Sequence, residues 1–373
     1  MKQIALLFEF GSLNGGEHSM LAMLKQLHGQ SIEFTAFCPA DSPLHQRLSS
    51  LEIPCHPVHF HDTHGQRLSR EEVALQLLPV LQANSFDLLH ANSLSMSRLT
   101  GALADQLPVR CSGHLRDIIK LSRAAIRDLN QNQRLFAVSH ATRDFHITQS
   151  LDPETVTVCY NGVDTERFQP RPATGALKQE LGLPAESRLC LTIGQIGLRK
   201  GQDILAQAAR LLAEQGDRET HFVMVGERHS QKQESIDFDR GLDEAFCQSG
   251  LEGRLHRLGY RDDIPFLMNE VDLLVHSAKQ EPLGRVLLEA IASGLPVVAT
   301  AVGGTSEIVD PEVSALLVPP GEAASLAQAM QRLLHDQGLR ERLAQAARER
   351  ALERFTSQQA SRNMEAGWLA LCE

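Results

Sequence analysis

Short apolar runs alternate with amphipathic stretches along the whole chain. In the first half, IALLFEF (4–10), IEFTAFC (32–38), CHPVHF (55–60), LLHAN (88–92), VRCSGH (109–114), LFAVS (135–139) and VTVCYN (156–161) predict strands. In the second half, LCLTIG (189–194), HFVMVG (221–226), LHRLGY (255–260), DLLVHS (272–277), PVVATA (296–301) and ALLVPP (315–320) do the same. Many runs are continuous rather than alternating, the pattern of parallel strands buried on both faces. Most intervening segments carry helical periodicity, for example DILAQAARLLAEQ (203–215). This repetition predicts an α/β fold of doubly wound sheets. NGVDTERFQPRPATG, starting at Asn161, is rich in Gly and Pro, lacks apolar periodicity and separates two complete α/β runs. The boundary is therefore expected within 162–186. After 322 the pattern is nearly all helical, and the segment 356–371 carries Trp368, the only tryptophan. The expected architecture is two Rossmann-like domains, 1–165 and 166–355, facing a cleft. A C-terminal helix, 356–373, is expected to pack back toward the first.

Composition narrows the classes. A chain of 373 residues exceeds the size at which single cores usually split. The net charge of −10 disfavours duplex nucleic acid, which needs a basic footprint. Seven scattered cysteines, never in C-x-x-C, suggest reduced thiols and a cytoplasmic setting. The N-terminal apolar run is too short for a signal peptide, is bounded by Glu9, and reads as a first strand. No apolar run approaches the roughly 20 residues that span a bilayer.

The stretch EPLGRVLLEAIASGLPVVATAVGGTSEIV (281–309) follows a predicted strand, DLLVHSA, and reads as loop, then helix, then a Gly294–Pro296 stop. The carboxyl end of a strand is where open α/β sheets bind ligands, and the free N–H groups of a helix start favour phosphate. Glu281 and Glu289 are eight positions apart, which on one helix is about 12 Å of rise and about 80° of rotation. They cannot grip one reacting atom, but can flank a ligand along its length, as a nucleotide sugar would require. The plain alternative is one buried and one solvated glutamate.

This stretch closely resembles the signature of the group-1 glycosyltransferases (glycosyltransferase family 4), which have the GT-B fold. LNGGEHSMLAML (13–24), AVSHATRDF (137–145), VTVCYNGVDTERF (156–168), LTIGQIGLRKGQDIL (191–205) and RLGYRDDIPFLMNEVDLLVHSA (257–278) carry the resemblance over nearly the whole chain. It implies retaining hexosyl transfer from a nucleotide-diphosphate sugar, a UDP- or GDP-sugar foremost, with no metal and no other cofactor. The first domain would then hold the acceptor and the second the nucleotide sugar. Glu281 would contact the sugar hydroxyls and Glu289 the ribose. Backbone amides at Leu283, Gly284 and Arg285 would meet the diphosphate or sugar, with support from Gly303, Gly304 and Thr305. Arg199 and Lys200, on the loop after Gly194, would neutralise the leaving group. Many relatives have an arginine where Gln195 stands, which leaves that charge to Arg199. The Gly15–Gly16 loop would approach the diphosphate and acceptor. His114 would contact the donor sugar. No residue stands out as a covalent nucleophile, so same-face attack of an acceptor hydroxyl is the expected course.

Other features have a plain reading beside the functional one. Glu17 is an acceptor contact or a first-turn glutamate favoured by the helix dipole. Arg116, Lys120, Arg123 and Arg127 form a stripe if that segment is helical, suited to an anionic acceptor or a membrane surface, or simply solvated. His56, His59, His61 and His64 cluster, but strand alternation splits them and argues against zinc. DFD (237–239) falls in a polar helical stretch and reads as solvated. Asn161, Gly162 and Asp164 read as a turn at the domain junction. A carbohydrate or lipid-linked acceptor is expected, at the inner membrane face if lipid, and no obligate protein partner. Two other classes share the fold: a nucleotide-sugar epimerase, and a catalytically silent binding subunit, favoured by Gln195 alone.

Overall fold

The computed structural model describes residues 1–247 and 251–373. The chain divides into two compact units, Met1–Gly162 with Ser357–Glu373, and Val163–Thr356.

In the first unit, β1 (Lys2–Leu7), β2 (Ile32–Cys38), β3 (Cys55–Pro57), β4 (Leu88–Ala91), β5 (Cys111–Leu115), β6 (Arg134–Ala137) and β7 (Val156–Val158) form a parallel sheet. Their spatial order is β3-β2-β1-β4-β5-β6-β7. The continuous apolar runs follow from burial on both faces. Ile4, Leu6 and Phe8 enter one core with Phe34 and Trp368, while Ala5 and Leu7 enter another with Phe37 and Leu77. The helix Ser357–Leu369 belongs to this unit, and Trp368, fully buried, packs edge-on against Phe34. Its end is held by Lys2 Nζ on Cys372 O (2.9 Å) and Arg110 on Leu371 O (2.7 Å).

In the second unit, β8 (Arg188–Ile193), β9 (Thr220–Val225), β10 (Leu255–Gly259), β11 (Leu273–His276), β12 (Val297–Thr300) and β13 (Leu316–Val318) form a parallel sheet. The order is β10-β9-β8-β11-β12-β13. Its main core packs Leu205, Leu212 and Phe222 against Met330, Leu333 and Leu343.

Each predicted strand is present, though several are shorter. β1 stops at Leu7, before the buried Glu9, which is held by Arg67 (3.0 Å) and Ser95 (3.1 Å) rather than by a ladder. The basic stripe is not a helix face. Residues 116–122 are not helical, and the helix Arg123–Leu129 starts only after its Ser122 cap. DFD lies on the helix Gln233–Cys247, with Asp239 paired to Arg228 and Arg257. Among the described residues no helix is long and apolar enough to cross a membrane.

Candidate active site

Strand order reverses once in each sheet, between β1 and β4 and between β8 and β11. Loops leaving the carboxyl ends of such a strand pair diverge and open a crevice for ligands.

In the second unit the chain leaves β8 through Gly194 and a short 3₁₀ turn, Leu198–Lys200, into the helix Gln202–Glu214. Gly201 joins them at φ +65°, and a Cβ there would stand 2.0 Å from Ser277 O. This close approach binds the Lys200 loop to the end of β11. Lys200 Nζ reaches Glu281 Oε2 at 2.5 Å, an ion pair spanning the reversal point. His276 Nε2, at the end of β11, lies 3.1 Å from the same oxygen, off the line of a hydrogen bond. Burial opposes a charge on Glu281, but Lys200, together with His276 beside it, outweighs that and holds the carboxyl well below its usual range. Glu281 therefore stays an acceptor, not a proton donor. Burial pushes His276 below its ordinary pKa, so it is neutral at pH 7.

The helix Arg285–Ala292 starts at Gly284, φ +102°, where a Cβ would crowd Leu287 at 2.8 Å. Glu289, in the second turn, receives Arg285 Nε (3.0 Å) and Nη2 (2.7 Å) on Oε1. Each glutamate thus has one engaged oxygen. Among the described residues neither Glu281 Oε1 nor Glu289 Oε2 has a hydrogen-bond partner. The two carboxylates offer one open acceptor each, on either side of a helix start that favours phosphate. Buried Arg285 Nη1 and Thr305 Oγ1 are also without partners there.

Some expected contacts are changed by this geometry. The Gly304 amide donates to Glu281 O (3.0 Å) and the Thr305 amide to Val302 O (3.0 Å), so neither is free for a ligand; the Thr305 hydroxyl is what remains. The Gly194 amide donates to Val225 O (2.9 Å). Gly194 instead serves the backbone turn, at φ +147° where a side chain is disfavoured, with Lys200 packed beside it. Arg199 is exposed, with only a 3.5 Å approach to Gln280 O. Gln195 is exposed too, its carbonyl accepting from Gln202 (3.1 Å).

In the first unit, His114 is the next-to-last residue of β5 and His90 lies on β4 beside it, both fully buried. His90 Nδ1 lies 2.9 Å from Ser112 Oγ, and His90 Nε2 lies 2.9 Å from His114 Nδ1. Arg116 Nη2 is 3.3 Å from the same His114 Nδ1. A guanidinium only donates, so His114 Nδ1 accepts. Burial and the Arg116 charge push both histidines well below their ordinary pKa. The neutral ring must then carry its proton on Nε2. That atom is buried and without a partner among the described residues, as is Asn92 Nδ2. His114 presents a donor, which suits a sugar oxygen and not the abstraction of a proton.

Arg116 is the organiser of this corner and not one of a surface row. It donates to Asn92 O (3.1 Å), Asn92 Oδ1 (3.0 Å) and Asn161 Oδ1 (3.0 Å). Its acceptor role is thereby weakened, while Lys120 is exposed and apart. Asn161 adds this contact to its turn. Gly16 sits where a Cβ would stand 3.1 Å from Arg116 Cδ, so its smallness serves packing; nothing crowds Gly15. Glu17 closes a helix cap through Asn14 N (3.1 Å), and burial raises its pKa. His90, Asn92 and His276 were not singled out from sequence. Each is a polar residue within one position of the end of an otherwise apolar strand, which is the signal the sequence carries.

Two family models match the chain: Glycosyltransferase Family 4 over 13–167 and Glycosyl transferases group 1 over 174–350. A D-inositol 3-phosphate glycosyltransferase of Salinispora arenicola is 34% identical over 54% of this chain and 46% of that protein. The chain spans about half the length of that relative. An Escherichia coli UDP-Gal:alpha-D-GlcNAc-diphosphoundecaprenol alpha-1,3-galactosyltransferase is 26% identical over 71% of this chain and 70% of its own. Among solved structures, Anabaena HepE with UDP-glucose is 25% identical and superposes with a TM-score of 0.86 over 99% of this chain and 100% of that one. Family models over both units, and a fold match along the full chain, make this protein a member of the group-1 glycosyltransferases with the GT-B fold.

Proposed function

We propose that the protein transfers a hexosyl group, with retention, from a nucleoside-diphosphate sugar to a hydroxyl acceptor in the assembly of a glycan or glycolipid. The observation that carries this is the pair of half-engaged carboxylates. Glu281 and Glu289 each keep one oxygen open, on either side of a helix start, which suits a sugar, a diphosphate and a ribose in a row. Glu281 takes donor-sugar hydroxyls and Glu289 the ribose. Amides at Leu283, Gly284 and Arg285 take the diphosphate. The second unit is the donor side and the first the acceptor side, with His114 Nε2–H and Asn92 Nδ2 donating to sugar oxygens.

In the reaction the anomeric carbon–oxygen bond to the diphosphate breaks with its electron pair on the diphosphate. Lys200 and Arg199 favour that charge by position. The acceptor oxygen bonds the anomeric carbon from the same face, and its proton passes to the departing diphosphate oxygen. Uridine is the first base to test, because HepE is described with UDP and UDP-glucose. A panel of UDP-, GDP-, ADP- and dTDP-sugars in thermal-shift assays should raise the Tm with one base and not with Glu289→Ala. Loss of one charge-assisted contact, about 1.5–3 kcal/mol, weakens binding about 10- to 100-fold. No shift with any nucleotide sinks the donor-site reading. A product formed without acceptor would favour an epimerase.

A further inference from the structure

The first unit contains a second feature that the donor chemistry does not use. A cavity of about 300 Å³ is lined by Phe60, Leu68, Ser95 and three arginines, Arg67, Arg70 and Arg98. Its lining comes from residues 60–73 and the helix Leu94–Ala102, and through Arg67 and Ser95 it borders the reversal point between β1 and β4. Glu9, just beyond β1, and Ser95, just beyond β4, hydrogen-bond across that point (3.1 Å), and Arg67 Nη2 reaches both, at 3.0 and 2.9 Å. Arg70 pairs with Asp128 at 2.5 Å. Arg98 is different. Its Nε is buried with no partner, and among the described residues its guanidinium has no hydrogen bond or ion pair.

Three guanidinium groups face two carboxylates, which leaves one positive charge at the wall of a partly enclosed cavity. Burying a donor of a charged group unpaired is costly, so such a group marks a missing partner. A guanidinium fork matches phosphate oxygens, and Ser95 belongs to the first turn of the helix Leu94–Ala102, whose start also favours an anion. The volume lies at the lower end for small-ligand pockets. The aromatic and aliphatic wall suits the carbon skeleton next to the anion.

We infer that this cavity binds a phosphate group carried by the acceptor, with Arg98 as its main contact and Arg67 and Arg70 at its flanks. The proposal rests on the transferase reading in calling the ligand an acceptor. The acceptor class is then a phosphorylated sugar or a lipid-linked sugar phosphate.

The test uses the full chain in three forms: wild type, Arg98→Gln and Arg98→Lys, with exposed Arg47→Gln as a control. Calorimetric titration with glucose 6-phosphate, against glucose, is one arm. Cosedimentation with phosphatidylcholine vesicles, with and without a polyprenyl diphosphate, is the other. UDP is present in both, and its own thermal shift is measured in parallel. Arg98→Gln should melt as wild type does and bind the phosphate probe at least about tenfold more weakly, with Arg98→Lys between them. An effect on glucose 6-phosphate identifies a free sugar phosphate, and an effect confined to the vesicles identifies the lipid. No phosphate-dependent binding in either arm, or equal binding by wild type and Arg98→Gln, overturns the proposal. Absence of a UDP shift would instead strike the donor-site reading, and the Arg98 comparison would still decide this one.

Discussion

His114 offers its Nε2 proton because two donors, from His90 and Arg116, converge on its other nitrogen. His114→Ala should therefore lower kcat/KM by about 2–3 kcal/mol, on the scale of a lost preorganised donor. His114→Gln, which returns an N–H, should recover part of it in the same steady-state assay. A second consequence is pH-dependent stability. The folded pKa values of His90 and His114 are depressed, so below about pH 6.5 the unfolded chain takes up protons that the folded chain resists. Stability from these groups is present above that pH and lost below it. Tm should fall between pH 7 and pH 5, and the slope should be shallower in His90→Phe. An unchanged slope would mean that these histidines do not set it. Glu281 acts in the opposite range: its depressed pKa keeps the Lys200 pair intact until strong acid.

At the scale of elements, the loop carrying Lys200 depends on Gly201 meeting the Ser277 carbonyl just beyond β11. A Cβ at 2.0 Å from Ser277 O cannot be accommodated without moving backbone, and φ +65° already disfavours a side chain. Gly201→Ala should cost about 2–3 kcal/mol in urea unfolding and blunt the nucleotide thermal shift, because the loop carrying Lys200 moves with it. Gly197→Ala, with nothing within 4 Å of its Cβ, should be much milder. The strands themselves were legible, since a run buried on both faces has few competing readings. Their ends were not. IALLFEF predicts a strand to residue 10, yet β1 ends at Leu7, because the partners of Glu9 lie 58 and 86 residues away at Arg67 and Ser95. The basic stripe failed for a related reason. Arg116 turns inward to Asn92 and Asn161, and a helix could not place it there.

At the scale of the molecule, the chain leaves the first unit after Gly162 and returns at Ser357. Trp368 then completes the core that β1 and β2 begin, so the first unit needs the last residues of the chain. Trp368→Ala should remove about 3–5 kcal/mol from the first unit, read by urea unfolding, while the nucleotide shift of the second persists. Loss of both together would mean that the units unfold as one. The sequence by itself determined the α/β class, the strands and the strand-to-helix segments in and beside which Glu281, Glu289, Lys200 and His114 lie, because periodicity and loop chemistry are local. Only the tertiary structure decided what these groups touch. Sheet order brings residues 81 positions apart, Lys200 and Glu281, to 2.5 Å, and sets His90 beside His114. It also gathers Arg67, Arg70 and Arg98 around one cavity. Protonation state, tautomer and open hydrogen-bonding atoms all depend on those long-range neighbours, so they became visible only with the fold.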